Sequence, residues 1–166
     1  MDEELVDLAQ RYAHKRHITL SERLGFGIHG IVFAAEDNTK PGFFAVKCHR
    51  EAQPFERECR AYQRLRERQV AQIRGFNVPQ FLGSDEEFRA LEMTIVRKPF
   101  LLDFADALLD QTPDFSEDVL QQWEEDRAEI FGERWQEVTQ VLAALRACGI
   151  YLLDINPGNI SFPEDS

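Results

Sequence analysis

An α+β fold is predicted for this 166-residue chain by two successive patterns along it. Up to about Pro99, short β-branched and aromatic segments alternate with turn clusters around one long amphipathic helix. Beyond Pro99, apolar residues recur mainly at helical spacing. A hydrophobic content of 43% is enough for a sizeable core and argues against a disordered chain.

Taken in order, residues 2–16 predict a helix with Leu5, Leu8, Ala9 and Tyr12 on one face. From Ile18 to Glu36, strand residues surround Gly25, Gly27 and Gly30, and Ile31, Phe33 and Ala35 alternate as a returning strand. Asn38 to Gly42 is a turn cluster, and Phe43 to Cys48 a third strand. Pro54 suits the first turn of a helix running to about Gln69, with Phe55, Cys59, Tyr62 and Leu65 as its stripe. Gly75 to Pro79 breaks the chain. Phe81-Leu82 and Ala90 to Val96 predict two further strands, and Pro99 a hinge. Helices are expected over Leu101–Leu109, Ser116–Glu129 and Glu133–Cys148, the last closed by Gly149, with Tyr151–Phe162 extended or looped.

Charge and cysteine content exclude several classes. With 19 basic and 30 acidic residues the net charge is −11, a poor match for sequence-independent nucleic-acid binding. No apolar run reaches membrane-spanning length, and Met1-Asp2-Glu3-Glu4 is acidic where a secretory leader is basic. Cys48, Cys59 and Cys148 fit neither a disulfide framework nor a metal knuckle, and read as thiols in a reducing cytoplasm. His14, His17, His29 and His49 show no metal spacing, and His29 is expected exposed at a loop tip. Residues 47–74 hold eight Lys/Arg against four Asp/Glu, whereas residues 110–135 hold two against nine. The acidic stretch with Phe115, Leu120, Trp123, Ile130 and Phe131 is expected to be a solvated face, a cover for another helix, or a surface for a partner protein or second copy.

Three segments carry chemistry. Leu24-Gly25-Phe26-Gly27-Ile28-His29-Gly30-Ile31-Val32 is a G-x-G-x-x-G-x-V pattern, in which glycines let backbone amides approach phosphates. A dinucleotide-binding fingerprint requires a helix to follow; here strand residues follow, so the glycines sit in a hairpin. Phe44-Ala45-Val46-Lys47 places a lysine at the end of a strand, where an ammonium can neutralise phosphate oxygens if a carboxylate holds it. At about 100° per residue from Phe55, Glu58 falls near 300°, inside the apolar arc, and Glu56 near 100°. A carboxylate on a buried stripe needs a cation, so Glu58 is the preferred partner of Lys47. Finally, Asp154-Ile155-Asn156-Pro157-Gly158-Asn159 combines a carboxylate with an amide oxygen suited to Mg²⁺ in the spacing D-x-x-x-x-N. Read alone, it is also an Asn-Pro-Gly turn with a capping Asp.

In this order and on these elements, the three segments resemble the eukaryotic-type protein kinase superfamily, from about residue 18 onwards. The resemblance implies a two-lobed protein-kinase-like fold: an N-terminal helix (1–17), an antiparallel β-sheet lobe with one main helix (18–98), and a reduced, all-helical second lobe (99–166) ending just after the catalytic loop. It implies ATP as ligand, with Gly25, Gly27 and Gly30 over the phosphates, Val32 and Ala45 against the adenine, Thr94 to Val96 as hinge backbone, and Leu24 among the nucleotide-binding residues. Lys47 and Glu58 would be the ion pair, Asp154 the catalytic carboxylate and Asn159 a ligand of weakly held Mg²⁺. The sequence departs from the family at Leu152-Leu153, where His-Arg is usual, and at Asn156, where lysine is common. No metal-binding Asp-Phe-Gly follows Asn159; Glu164 and Asp165 are the only carboxylates there. Two functions are therefore expected: a minimal phosphotransferase moving the γ-phosphoryl group to a hydroxyl, or a non-catalytic kinase-like module acting through a partner protein.

Overall fold

The computed structural model describes residues 2–164 and has an α+β architecture. Helix α1 (Glu3–Arg16) starts where the Asp2 carboxylate accepts from the Glu4 and Leu5 amides, and ends at His17 in the left-handed region. It packs Leu5, Leu8, Ala9 and Tyr12 on an antiparallel sheet of five strands. Their order is β1 (Ile18–Phe26), β2 (Gly30–Asp37), β3 (Phe43–His49), β7 (Ala90–Met93) and β6 (Phe81–Asp85). Glu92 of β7 is buried and takes hydrogen bonds from Tyr12 Oη at 2.6 Å and Arg16 Nε and Nη2 at 2.8 and 2.9 Å, which locks α1 to the sheet.

On the opposite face of the sheet lies α2 (Ala52–Glu67), and strand alternation divides β3 between the two sides. Val46 and Cys48 join the α1 cluster, while Ala45 joins the α2 cluster. Burial pushes the Cys48 and Cys59 thiols up to about 12, so neither is a nucleophile near neutrality.

Beyond β7 the structure corrects two expectations. Leu101–Leu109 is not helical. Asp103 and Asp110 adopt positive φ of 69° and 55°, and the segment carries strands β8 (Phe100–Leu101) and β9 (Leu108–Leu109) instead. The second half is therefore not all-helical. Helices α3 (Glu117–Phe131) and α4 (Trp135–Ala147) form as expected, but β10 (Ile150–Tyr151) pairs with β9, and β11 (Ile160–Ser161) pairs with β8. Gly75 lies in a hairpin joining β4 (Gln72–Ile73) to β5 (Phe76–Asn77), and a second sheet runs β11-β8-β5-β4, with β5 and β8 parallel. Strand β7 ends well before Pro99, at Met93. One apolar cluster unites Phe55, Tyr62 and Leu65 of α2 with Phe104 and with Val138, Val141 and Leu145 of α4. Among the described residues no helix is long and apolar enough to cross a membrane.

Candidate functional site

The site is built around a buried carboxylate. Glu58 is fully buried on the inner face of α2 beside Phe55, Cys59 and Tyr62, as its helical position predicts. Its Oε1 meets Lys47 Nζ at 2.7 Å and His49 Nε2 at 2.7 Å, both reaching down from β3, and its Oε2 accepts from the Phe104 amide at 2.8 Å. His49 Nδ1 lies 3.2 Å from the Arg89 carbonyl, so both ring nitrogens face acceptors. Burial opposes ionisation of Glu58, but the Lys47 ammonium and His49 outweigh it and hold the carboxyl below its usual range. Burial likewise opposes the Lys47 charge, yet the carboxylates of Glu58 and Asp103 keep the ammonium protonated above its ordinary value.

Asp103 is one of the residues that the sequence did not point to. It follows β8 at positive φ, and its Oδ1 stands 3.5 Å from Lys47 Nζ. Register explains the approach: Ile160 pairs with Leu101, and the Leu102 amide donates to the Asn159 carbonyl at 2.7 Å, so the 103–106 turn lies beside the 154–159 loop. Within that loop, Asn159 Nδ2 donates to the Asp154 carbonyl at 2.8 Å, and Asn159 Oδ1 accepts from the Asn156 amide at 3.0 Å. The Asn156 side chain accepts in turn from the Gly158 amide at 2.8 Å. Asp154 is partly buried; burial first, then the negative charges of Asp106 and Asp103, raise its carboxyl above the ordinary value. Helix α3 braces the loop from outside, with Trp123 Nε1 donating to the Leu153 carbonyl at 3.0 Å and Arg127 Nη1 to the Ile155 carbonyl at 2.8 Å. The acidic helix thus braces a loop through Trp123 and Arg127, while Phe115, Val119 and Ile130 stay exposed.

The glycine hairpin reaches the same place. Its turn closes through Gly27 N to Gly30 O at 3.0 Å and is held by Arg50 N on the His29 carbonyl at 2.9 Å. His29 is not the exposed tip expected from sequence: its side chain is 15% exposed, and its Nε2 lies 3.0 Å from Asp106 Oδ2. The three glycines differ in origin. At Gly30 a Cβ would collide with the Cys48 carbonyl of the paired strand, whereas at Gly27 it meets nothing within 4 Å and at Gly25 only Val32 in ordinary contact. Val32 pairs with Gly25 on one side and Lys47 on the other; Ala45 pairs with Met93, two strands from Leu24. Thr94 follows Met93 directly, bonded to Gln80 through both amide and hydroxyl, and Val96 is half-buried beyond it.

Thus Lys47, Glu58, Asp154, Asn159 and the glycine hairpin come together with Asp103, Asp106, His29, His49 and Arg127, which sequence reasoning gave no role in the site. Asp103 and Asp106 were hidden in a segment that reads as helix; the adjacent Asp103-Phe104 after two leucines was the available signal. Of the two carboxylates after Asn159, Glu164 is held by Arg134 at 2.6 Å, and Asp165 lies outside the described residues. No family model matches this chain, and no curated protein matches it in sequence.

Proposed function

We propose that the protein is a kinase-like ATP-binding protein that transfers the γ-phosphoryl group to a hydroxyl acceptor. The observation that carries the reading is the buried Lys47–Glu58 pair with Asp103 at its mouth, next to the Asp154–Asn159 loop and beneath the glycine hairpin. Gly25 and Gly27 have no packing reason to be glycine, and the room beside them suits close approach of phosphates.

The donor set fits a hard divalent cation. Asp103 and the remaining lone pair of Asn159 Oδ1 are oxygen ligands of the kind Mg²⁺ prefers. Asp103-Phe104 thereby supplies the metal-binding Asp-Phe that the resemblance demands, from a segment preceding the Asp154 loop rather than following it. Such a cation would neutralise charge on the β- and γ-phosphates. Lys47, oriented by Glu58, would bind phosphate oxygens, and Arg127 stands near enough to Asp154 to favour its charged form. In the transfer step, the acceptor oxygen bonds to the γ-phosphorus, the bond from phosphorus to the β–γ bridging oxygen breaks, ADP leaves, and the hydroxyl proton passes to Asp154. The raised pKa of Asp154 makes it a better proton acceptor than an ordinary aspartate once ionised.

A non-catalytic reading has one observation in its favour: Asn159 Oδ1 already accepts from the Asn156 amide, which weakens it as a metal ligand. ADP release with Mg²⁺ and ATP, compared between the wild type and Asp154→Asn, separates the two. Loss of turnover in the variant supports transfer. A melting temperature raised by millimolar Mg-ATP without turnover supports a nucleotide-binding module, and no shift in the wild type overturns nucleotide binding and with it the transfer reading.

A further inference from the structure

The glycine hairpin and the 103–106 turn hold a group of ligands that phosphate binding does not require. A ring nitrogen of His29, an Asp106 carboxylate oxygen and an Asp154 carboxylate oxygen lie within 4.8 Å of one another, all three side chains partly buried. They come from three separate segments: a hairpin tip, the turn after β8, and the loop after β10. We propose that His29, Asp106 and Asp154 form a binding site for a divalent cation of the Zn²⁺ or Mn²⁺ type, distinct from Mg²⁺ held with nucleotide, and that binding fastens the hairpin to the second half of the chain.

The chemistry follows from the donors. Ligand bonds of about 2.1 Å place tetrahedral donors about 3.4 Å apart, so the set reaches coordination distance by side-chain adjustment alone. His29 Nε2 and Asp106 Oδ2, already 3.0 Å apart, need only spread a little to admit an ion. Two carboxylates and one imidazole leave a position for water or substrate, and the nitrogen favours Zn²⁺ or Mn²⁺ over Mg²⁺ and Ca²⁺, which prefer oxygen alone. An ion between Asp106 and Asp154 also offsets repulsion between two carboxylates that have Asp103 close by. The hairpin backbone is held on its other side by Arg50, so the ion completes a clamp at the tip.

The site shares Asp154 with the phosphotransfer reading but needs no nucleotide, so metal alone tests it separately. Purified protein is titrated with Mn²⁺, Zn²⁺, Mg²⁺ and Ca²⁺ by calorimetry, alongside His29→Ala and Asp106→Asn, with folding checked by circular dichroism. The expected result is binding of Zn²⁺ or Mn²⁺ at least about tenfold tighter than Mg²⁺, weakened at least about tenfold in each folded variant. Substoichiometric Mn²⁺ should broaden amide signals around His29, Asp106 and Asp154, and Zn²⁺ should slow hydrogen exchange at Ile28 to Gly30. Broadening centred on the exposed His14 and His17, or affinity unchanged in His29→Ala, overturns the proposal, as does equal affinity for Mg²⁺. Metal binding without any ATP response would leave this site standing and remove the nucleotide reading alone.

Discussion

Replacing Lys47 by Met tests the buried pair on which the candidate site is built. The substitution keeps the side chain's length and its apolar stem but removes the ammonium, leaving Glu58 fully buried with two partners, His49 and the Phe104 amide. Breaking a buried ion pair by removing one member costs about 3–5 kcal/mol. Because Glu58 keeps those two partners, the lower end, about 3 kcal/mol, is expected. In a chain of this size that corresponds to a fall in melting temperature of roughly 6–12 °C. The loss should depend on pH with a definite sign. In the wild type the Glu58 carboxyl is held below its ordinary value, so the pair's contribution is present above about pH 4.3, the unfolded-chain value, and is lost as the pH falls through the folded value. In the variant, burial is no longer opposed by the ammonium, so the carboxyl shifts upward and the neutral form becomes the cheaper one to bury. The gap between the two proteins should therefore narrow from pH 7 to pH 4.5. Urea unfolding of wild type, Lys47→Met, Glu58→Gln and the double variant gives the pair's coupling directly. A single-variant loss below about 1 kcal/mol, a coupling near zero, or a gap independent of pH would refute the reasoning.

Further outcomes follow from neighbouring features. Asp154→Asn removes a carboxylate whose ionised form is penalised by burial and by Asp106 and Asp103; its melting temperature should exceed that of the wild type at pH 7, and the gain should vanish as the pH falls to the range where the unfolded carboxyl protonates. Gly30→Ala drives a methyl group into the Cys48 carbonyl and should cost about 1–3 kcal/mol in urea unfolding. Gly27→Ala meets open space and should leave the unfolding midpoint unchanged while weakening the thermal response to Mg-ATP. Tyr12→Phe deletes the hydrogen bond to the buried Glu92 and should lower stability by about 1.5 kcal/mol, with Arg16 still in place.

What sequence could reveal here followed the range of the interactions involved. The hairpin strands, α2 and α4 are governed by local periodicity and turn chemistry, and they appear close to where they were expected. Glu58 was legible because a helix fixes direction: one carboxylate among three neighbouring charges falls on the apolar arc. Leu101–Leu109 misled because its apolar density fits a helix, whereas its structure depends on partners far along the chain, Leu101 on Ile160 and Leu109 on Ile150. Two-residue strands leave no period to read, and the positive φ values of Asp103 and Asp110 leave only a weak trace in residue type. The same segment carries Asp103 and Asp106, so misreading the local structure concealed the carboxylates that complete the site. His29 was misplaced for a related reason: a hairpin tip is exposed by default, and only tertiary packing brings Asp106 under it.

The pairing of β8 with β11 also sets an order on how the molecule is made. The five-stranded sheet is complete once the chain has emerged to Met93, and α1 and α2 can already cover its two faces. Asp103 can meet Lys47 early, but the 154–159 loop joins it only after α3 and α4 have been synthesised and Ile160 arrives to pair with Leu101. Such a long closure forms late, because its entropy cost is met before its contacts exist. The candidate site thus closes only after the sheet that carries Lys47 has been synthesised.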